Sequence, residues 1–258
     1  MNFFSIDPNH DILILEVIFM KYRSAQSSDI ARIREIYAPF ISTTVTFELK
    51  VPGETEMLHR MQTISQTYPW IVLEEKGVVQ GYAYLSTFNP RTAYQHTADL
   101  SIYLTEEIKG KGYGRKLCEI LFEIARIQNI HRIISISTEE NTSSKLFHEK
   151  IGFIAQGTLE KVGYKHNRWL NVSFYTKSLI EPIEPKPLIP LSQIKEKKDS
   201  QGFLKNFFDK EKRKLTIPYA EFVKICRIDD WNRNFTEIWY EIKDFLDILT
   251  SFKIEYQT

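Results

Sequence analysis

Apolar and polar residues alternate in short blocks along the first two thirds of the chain, and each block predicts a strand or a helix. From Met20 the run MKYRSA predicts a short strand, and Ser28 or Asp29 then caps a predicted helix over IARIREIYAPF. A second helix follows in ETEMLHRMQTIS. The stretch YPWIVLEEKGVVQGYAYLSTF contains two β-rich runs around Lys76-Gly77, a dipeptide typical of a hairpin turn.

The same pattern continues to about residue 180. HTADLSIYLT predicts a strand, a glycine-rich loop follows, and Arg115–Gln128 predicts a helix. HRIISIST predicts another strand, NTSSKLFHEKIG a short helix that Gly152 ends, and GFIAQGTLE with RWLNVSFYTKSL a closing pair of strands. This mixture predicts an α+β fold, with a mostly antiparallel central sheet and helices on its faces.

The pattern changes at both ends of the chain. Four prolines in EPIEPKPLIPL and the charged run KEKKD predict a linker over residues 181–198, and residues 199–258 show helical spacing of apolar residues. Those apolar faces are too large to leave in water, so we expect them to pack on the domain of residues 20–180, on a second copy or on another protein. Residues 1–19 are either a short extra strand or an extension before a true start at Met20.

Composition narrows the class of partner. The chain is 43% hydrophobic and 26% charged, with a formal net charge of +1, so we expect neither a nucleic-acid nor a membrane partner. Cys118 and Cys226 lie far apart and predict reduced thiols in a cytoplasmic protein. Neither cysteine has the setting of a nucleophile, and the histidines lack metal-ligand spacing, so we predict no metal.

Three of the ten glycines lie together between a predicted strand and a predicted helix, at Gly110, Gly112 and Gly114. Backbone N–H groups at a helix N-terminus favour a phosphate, and absent Cβ atoms allow close approach. The G-x-G-x-G spacing fits neither the dinucleotide-binding fingerprint nor the P-loop. The alternative is a tight turn flanked by solvated lysines.

The neighbouring segments resemble a known family. Lys109-x-x-Gly112-x-Gly114 resembles the acyl-CoA pyrophosphate loop Q/R-x-x-G-x-G/A of the GNAT superfamily, with Lys in the first position. NTSSKLFHEKIGF is similar to the N-x-x-S-x-x-L-H-E-x-L-G-F segment of the phosphinothricin N-acetyltransferase subfamily. TTVTFE, YPW, GYAY, PRTAY and KVGYKHNRWLNV resemble further segments in the same order, from about Lys21 to Leu179. The resemblance implies a GNAT fold and an N-acetyltransferase with acetyl-CoA as cosubstrate.

The resemblance also implies where CoA binds. Its pyrophosphate belongs on the glycine loop and its pantetheine arm along the preceding strand, where a backbone N–H would polarise the thioester carbonyl. The predicted cofactor-binding residues are Ile102, Tyr103, Leu104, Lys109, Gly110, Lys111, Gly112, Tyr113, Gly114, Arg115, Asn141 and Ser144.

Two residues are predicted to be catalytic in direct attack of an amine on the thioester. Asp99, in TADLS, stands where the subfamily has a Glu, so the resemblance implies the general base; a structural or substrate-orienting role is the alternative. His148 stands where many GNAT enzymes carry a tyrosine proposed to protonate the departing thiolate; a hydrogen-bonded structural histidine is the alternative.

For the acceptor, the resemblance implies a small amino acid such as phosphinothricin, methionine sulfone or methionine sulfoximine. The predicted substrate-binding residues are Phe47, Arg91, Tyr94, Lys165 and Arg168, with Trp169 as a further wall. An exposed surface charge is the alternative for each cation, and Asn89 departs from the Arg or Lys of many relatives. An acetyltransferase for a peptide or lysine and a non-catalytic acyl-CoA-binding module stay open. Since relatives commonly dimerise, we expect a homodimer.

Overall fold

The computed structural model describes residues 3–7, 12–16, 20–181, 184–196 and 214–218, and the chain divides into two compact units. The smaller unit contains a three-stranded antiparallel sheet in the order β1-β2-β10. Its strands are β1 (Phe3–Asp7), β2 (Ile12–Glu16) and β10 (Lys214–Pro218). The N-terminal segment therefore forms two strands, and a strand lies in the region predicted to be helical. The predicted helix over residues 234–252 lies outside the described residues.

The larger unit has the predicted mixture of strands and helices, which confirms the α+β prediction. Its helices are α1 (Ile30–Ile41), α2 (Glu54–Thr67), α3 (Tyr113–Ile127), α4 (Thr142–Lys150) and α5 (Leu191–Glu196). Its strands are β3 (Lys21–Ser24), β4 (Trp70–Glu75), β5 (Val78–Thr87), β6 (Thr97–Leu104), β7 (Arg132–Thr138), β8 (Ile154–Lys165) and β9 (Arg168–Ser178). Among the described residues, no helix is long and apolar enough to cross a bilayer.

These seven strands form one sheet in the order β3-β4-β5-β6-β7-β9-β8. Every neighbouring pair is antiparallel except β6 and β7, which are parallel. The β4–β5 connection is the predicted hairpin: Lys76 and Gly77 have φ angles of 51° and 82°, and two positive φ values are the condition for a type I′ turn.

The sheet separates two hydrophobic cores because successive strand residues point to opposite faces. On β4, Ile71 and Leu73 pack towards α3, whose Leu121 is fully buried there. Val72, between them, packs on the other face against the core that contains Ile33 of α1. The sheet is therefore covered on both sides, and a ligand reaches its middle strands only where the sheet itself opens.

Part of the segment predicted to be a linker packs on the larger unit. Leu191 and Ile194 are each 3% exposed. The Gln128 carbonyl accepts from the Ile189 N–H (3.0 Å), and the Gln128 Nε2 donates to the Ile189 carbonyl (3.1 Å). Asn129 Nδ2 donates to the Pro187 carbonyl (2.8 Å). Residues 187–194 are thus an ordered strap, fastened at the end of α3.

Candidate active site

The sheet opens between its two parallel strands. β6 and β7 are in register over only three residue pairs, which end at Asp99 and Ile134. Beyond that point β6 continues to Leu104 and β7 to Thr138, each held only by its outer neighbour, β5 or β9. We call the opening between residues 100–104 and 135–138 the fork. The inner edge of β6 there presents strand N–H and C=O groups that β7 does not pair, so an extended ligand can lie along it.

The glycine loop lies directly after the fork. Gly110 and Gly112 have φ angles of 74° and 84°, in the left-handed region that favours glycine, and Gly112 is the N-cap of α3. Gly114 is needed for space instead, since a Cβ there would lie 3.1 Å from Leu104 and 3.3 Å from Ile102. The N-terminus of α3 therefore approaches the end of β6 closely, with its first N–H groups facing away from the helix.

The cations of this loop are exposed. Lys109 pairs with Glu106, and Arg115 Nε lies 3.0 Å from a carboxylate oxygen of Glu119. Exposed pairs of this kind contribute little to stability, so exchanging the carboxylate for a phosphate costs little. The α3 N-terminus with its flanking cations therefore has the charge and the N–H groups that a phosphate group requires.

The predicted CoA residues on β6 divide between the two cores. Ile102 and Leu104 pack, partly buried, against the core that contains α3, whereas Tyr103 lies on the other face, with its ring centroid 4.9 Å from that of Tyr37. Their side chains are thus core residues, as expected. What they present to the fork is backbone.

The far side of the fork ends at the first turn of α4. The Asn141 side-chain oxygen accepts from the Ser144 N–H (3.1 Å) and from the Ser143 hydroxyl (3.0 Å), so Asn141 caps the helix. Its Nδ2 makes no hydrogen bond within the part of the chain that the structure describes. Asn141 and Ser144 therefore lie across the fork from β6, with polar groups left for a ligand.

Asp99 lies at the point where the strands part. One carboxylate oxygen, Oδ1, is buried and has no hydrogen-bond partner among the described residues. Burial raises the pKa of this carboxyl to about 6, although a hydrogen bond from the Leu100 backbone opposes the shift. The carboxylate shares its sheet face with Tyr84 and Ser101. It is ionised at neutral pH and a stronger base than an exposed aspartate.

His148 is buried on α4, with 3% of its surface exposed. Its Nδ1 lies 2.7 Å from the Ser144 carbonyl oxygen and 3.1 Å from the Ser144 hydroxyl, and its Nε2 lies 2.7 Å from the Ser135 hydroxyl. The ring stacks on Tyr175 at 5.7 Å. Burial lowers the His148 pKa, against the opposing effect of the Ser144 carbonyl. Both nitrogens are hydrogen-bonded within the protein, so the ring has no free nitrogen with which to contact a substrate directly.

Two of the cations predicted to bind the acceptor are bonded to groups of the protein itself. Lys165 is 4% exposed and its Nζ donates to the Thr46 carbonyl (2.7 Å). Arg168 is exposed and forms a bidentate pair with Glu140 (2.7 and 2.8 Å), and Glu140 also accepts from the Thr44 hydroxyl. Both cations therefore fasten residues 43–51, the segment between α1 and α2, to the β8–β9 hairpin or its surroundings.

The aromatic residues predicted to line the acceptor site lie in different parts of the fold. The Phe47 ring lies on Gly163 of β8, where a Cβ would overlap it. Tyr94 is 42% exposed and packs edge-on to Phe88, while Trp169 is exposed beside Tyr164. Only Phe47 lies on the segment that Lys165 anchors.

Arg91 is exposed, and its backbone N–H donates to the Asn89 side chain (3.0 Å). Asn89, noted as a departure from relatives, thus shapes the turn that carries Arg91. Sequence reasoning missed Glu140 and Ser135, the partners of Arg168 and His148, since nothing in the local sequence links residues that are 28 and 13 positions apart. Within the described residues, no group of three His, Cys, Asp or Glu side chains is placed to hold a metal.

The site combines the open edge of β6 in the fork, the glycine loop where that strand ends, and the Asp99 carboxylate where the two strands part. Comparison with known proteins identifies the family in which these features belong together. The acetyltransferase (GNAT) domain family matches residues 22–173, more than half of the chain. The chain belongs to the GNAT acetyltransferases. It is therefore an acetyltransferase, and acetyl-CoA is its cosubstrate.

The similarity extends to individual GNAT enzymes. The chain is 31% identical over 176 residues to the phosphinothricin N-acetyltransferase of Streptomyces viridochromogenes, covering 68% of this chain and 96% of that protein. It is 31% identical over 168 residues to the L-methionine sulfoximine/L-methionine sulfone acetyltransferase of Salmonella typhimurium, covering 64% and 98%. The crystal structure of the GNAT phosphinothricin acetyltransferase of Sinorhizobium meliloti with AcCoA aligns with a TM-score of 0.62 at 35% identity, covering 67% and 97%.

Proposed function

We propose that this GNAT enzyme transfers the acetyl group of acetyl-CoA to the α-amino group of a small amino acid or analogue, of the phosphinothricin or methionine sulfone and sulfoximine type. The observation that carries the proposal is the position of Asp99, a half-buried residue at the base of the fork whose Oδ1 is buried and unpaired among the described residues. The names of the relatives support the acceptor class. The amine attacks the thioester directly, because the described cysteine, Cys118, is fully buried and burial raises its pKa well above its ordinary value.

Asp99 acts as the general base. An α-amino group is mostly protonated at neutral pH and must lose a proton before it can attack. A carboxylate with a pKa of about 6 takes that proton more readily than an ordinary aspartate, and its unpaired Oδ1 can accept it directly or through one water. Because aspartate is one methylene shorter than the subfamily's glutamate, the water-mediated path suits a more distant amine.

The fork and the glycine loop hold the cosubstrate. Backbone groups of Ile102–Leu104 would pair with the pantetheine arm, and the α3 N-terminus with Arg115 would take the pyrophosphate. A strand N–H that meets the thioester oxygen would stabilise the negative charge that develops there. Bound in this way, acetyl-CoA would supply an activated acetyl group for attack by the amine.

The segment of residues 43–51 forms one wall of the acceptor site. Lys165 and Phe47 fix this segment to β8, and Arg168 binds an acidic acceptor group only by exchanging Glu140. Arg91 is exposed and requires no such exchange. An acceptor with one acidic or strongly polar group beyond its α-carbon is the class that these cations suit.

The experiment is CoA release from acetyl-CoA against a panel of acceptors: phosphinothricin, methionine sulfone, methionine sulfoximine, the common amino acids and a short peptide. Asp99→Asn is run beside the wild type and should lower kcat by about 100-fold or more, since general-base catalysis is worth roughly 10²–10⁴-fold. Asp99→Glu, which restores the subfamily residue, should keep activity. Turnover on the peptide alone would favour the peptide alternative, and acetyl-CoA binding without any turnover would favour the non-catalytic one.

We also propose that a second copy of the chain covers the outer strand of the sheet. β8 lies at the sheet edge, and its Leu159, Val162 and Tyr164 are each more than half exposed. A long apolar edge strand pairs readily with another strand. Light scattering on the purified protein should give the mass of a dimer, and Val162→Lys should shift it towards that of a monomer. A monomeric wild type would contradict the proposal.

A further inference from the structure

The His148 imidazole lies between two serine hydroxyls, one at each ring nitrogen. Ser135 Oγ is 2.7 Å from Nε2, and Ser144 Oγ is 3.1 Å from Nδ1. Ser135 is 3% exposed on β7, whereas Ser144 is half-buried in the first turn of α4. The three side chains thus form a hydrogen-bonded row from a half-buried position to a buried one.

The buried end of this row lies at the fork. Ile134 is the last β7 residue in register with β6, so Ser135 is the first residue of β7 beyond the paired segment. His148 itself has no ring nitrogen left for a ligand, because Nδ1 donates to the Ser144 carbonyl (2.7 Å) and Nε2 contacts Ser135. A proton that leaves Nε2 therefore passes first to the Ser135 hydroxyl.

We propose that Ser135 relays a proton from the His148 imidazolium to the thiolate that leaves acetyl-CoA, and that Nε2 is protonated again through the same Ser135 hydroxyl once CoA has left the fork. The inference rests on the proposed transfer reaction and adds to it the residue that completes the second half of the chemistry. Ser135 acts on the leaving group, at the opposite end of the reaction from Asp99, which acts on the amine.

The step balances in protons and electrons. When the amine nitrogen bonds to the acetyl carbon, the C–S bond breaks and its electron pair stays on sulfur, while Asp99 takes the proton of the amine. Ser135 gives its hydroxyl proton to that sulfur and receives the Nε2 proton of the His148 imidazolium. His148 ends neutral, with its remaining proton on Nδ1, as the Ser144 carbonyl requires.

The surroundings of His148 favour donation. Its ring stacks on Tyr175 and contacts Phe147 and Phe153 edge-on, and this apolar shell lowers the pKa of the imidazole. A thiolate of ordinary basicity, with a conjugate acid near pKa 8.5, is a stronger base than this imidazole. Proton transfer from the imidazolium to the departing sulfur is therefore downhill.

β9 offers a matched control. Ser173 lies outside the fork and is also buried, and its hydroxyl is 2.9 Å from the Thr158 hydroxyl. Ser173→Ala removes the same atom as Ser135→Ala without touching His148. Ser135→Thr keeps the hydroxyl on a side chain suited to a strand.

The first test needs no acceptor. CoA is bound to each variant and its thiol is titrated by thiolate absorbance. A hydrogen bond from Ser135 stabilises the thiolate, so the pKa of the bound thiol should lie below that of free CoA in the wild type, Ser135→Thr and Ser173→Ala. It should rise by about 1 unit in Ser135→Ala, as expected for loss of one hydrogen bond to a charged group. A wild-type bound thiol with the pKa of free CoA overturns the proposal, whether or not the alanine variant folds.

The second test uses turnover on the best acceptor found. With acetyl-CoA, Ser135→Ala should lower kcat about 10- to 100-fold at nearly unchanged KM for the acceptor. With an acetyl thioester of an acidic aryl thiol, whose thiolate needs no proton, the loss should shrink to within about threefold. Equal losses on both thioesters, or a Ser135→Ala enzyme as active as Ser173→Ala, would make Ser135 only a structural partner of the buried histidine. A wild type without any turnover would count against the proposed function and leave the thiol titration to decide on Ser135.

Discussion

Asp99 lies directly opposite Ile134, and this pair is the last through which the two parallel strands are in register. The residue before the strands part can place a polar side chain in the sheet interior and still face a ligand that enters between the strands. The cost is a buried carboxylate with one unpaired oxygen. The unpaired oxygen should lower the stability of the fold, which can be tested without measuring activity.

Asp99→Asn should stabilise the fold at neutral pH. The folded-state pKa of about 6 lies above the ordinary aspartate value of 3.8, so the folded protein binds this proton more tightly than the unfolded chain does. Ionised Asp99 therefore destabilises the fold, progressively as the pH rises from about 4 to 6. The free energy of unfolding should rise by about 1–3 kcal/mol in the variant at pH 7.5 and hardly at all at pH 3.5. Urea denaturation at the two pH values measures both, and a variant that is less stable at pH 7.5 would contradict the burial argument.

The same carboxyl should appear in the pH dependence of catalysis. The base is active when deprotonated, so kcat/KM should fall as the pH drops through about 6. In Asp99→Glu the acid limb should move, because the longer side chain places the carboxylate in a different environment. Rates measured between pH 4.5 and 8 on one acceptor give the acid limb of the wild type and that of Asp99→Glu. An unchanged limb in Asp99→Glu would assign it to another group.

Lys165 should act by holding the segment of residues 43–51 in place. Its buried ammonium donates to the Thr46 carbonyl, and Lys165→Met removes that anchor. We expect the acceptor KM to rise about tenfold with little change in the KM for acetyl-CoA, since a lost hydrogen bond from a charged group is worth roughly 1.5–3 kcal/mol. Lys161→Met, an exposed position on the same strand, is the control. A larger effect on acetyl-CoA than on the acceptor would place the segment elsewhere in the reaction.

Gly114→Ala should weaken both the fold and the cosubstrate site. The added methyl group lies 3.1 Å from a Leu104 methyl carbon and 3.3 Å from an Ile102 methyl carbon, so these side chains must shift by a few tenths of an ångström. Overpacking of this kind costs about 1–3 kcal/mol. Thermal unfolding with and without acetyl-CoA should show a lower Tm and a smaller ligand-induced increase. Gly53→Ala, where a Cβ meets nothing within 4 Å, should leave the ligand-induced increase unchanged.

Leu191→Ala should show that the strap of residues 187–194 belongs to the folded domain. Truncating a buried leucine costs about 2–5 kcal/mol, whereas an exposed one costs less than about 0.5 kcal/mol. Leu146, which is 57% exposed, supplies the matched Leu146→Ala control. The two free energies of unfolding, measured by urea denaturation, should differ by at least about 1.5 kcal/mol. Equal values would mean that the strap contributes nothing to stability.

Turns, helices and strands that depend on neighbouring residues along the chain could be predicted from the sequence. The Lys76-Gly77 turn, the helix after the glycine loop and the succession of strands and helices along the chain all follow from local pattern, and each is present. The position of Asp99 on a strand was also predictable. That it ends the paired part of that strand was not, because the length of a parallel ladder depends on β7, which begins more than thirty residues later.

The contacts of the other residues depend on partners that are distant in sequence and could not be predicted. Arg168 was predicted from its charge, but its partner Glu140 follows from how the β8–β9 hairpin bends back over the β7–α4 connection. Prolines predicted a linker over residues 181–198, whereas part of it forms the strap. Gln128 and Asn129 bind its backbone at Ile189 and Pro187, and sequence alone gives no reason for these pairings. Local composition reports the conformation of such a segment better than it reports its docking.

The fork also gives acetyl-CoA a structural role. An extended pantetheine arm between β6 and β7 would take the place of a missing strand, supplying hydrogen-bond partners to an inner edge of the sheet that β7 leaves unpaired. A ligand that binds only the folded chain stabilises it in proportion to the logarithm of its concentration. The supply of acetyl-CoA would then govern how long each molecule survives as well as how fast it works, so that a depleted pool shortens the lifetime of the enzyme that draws on it.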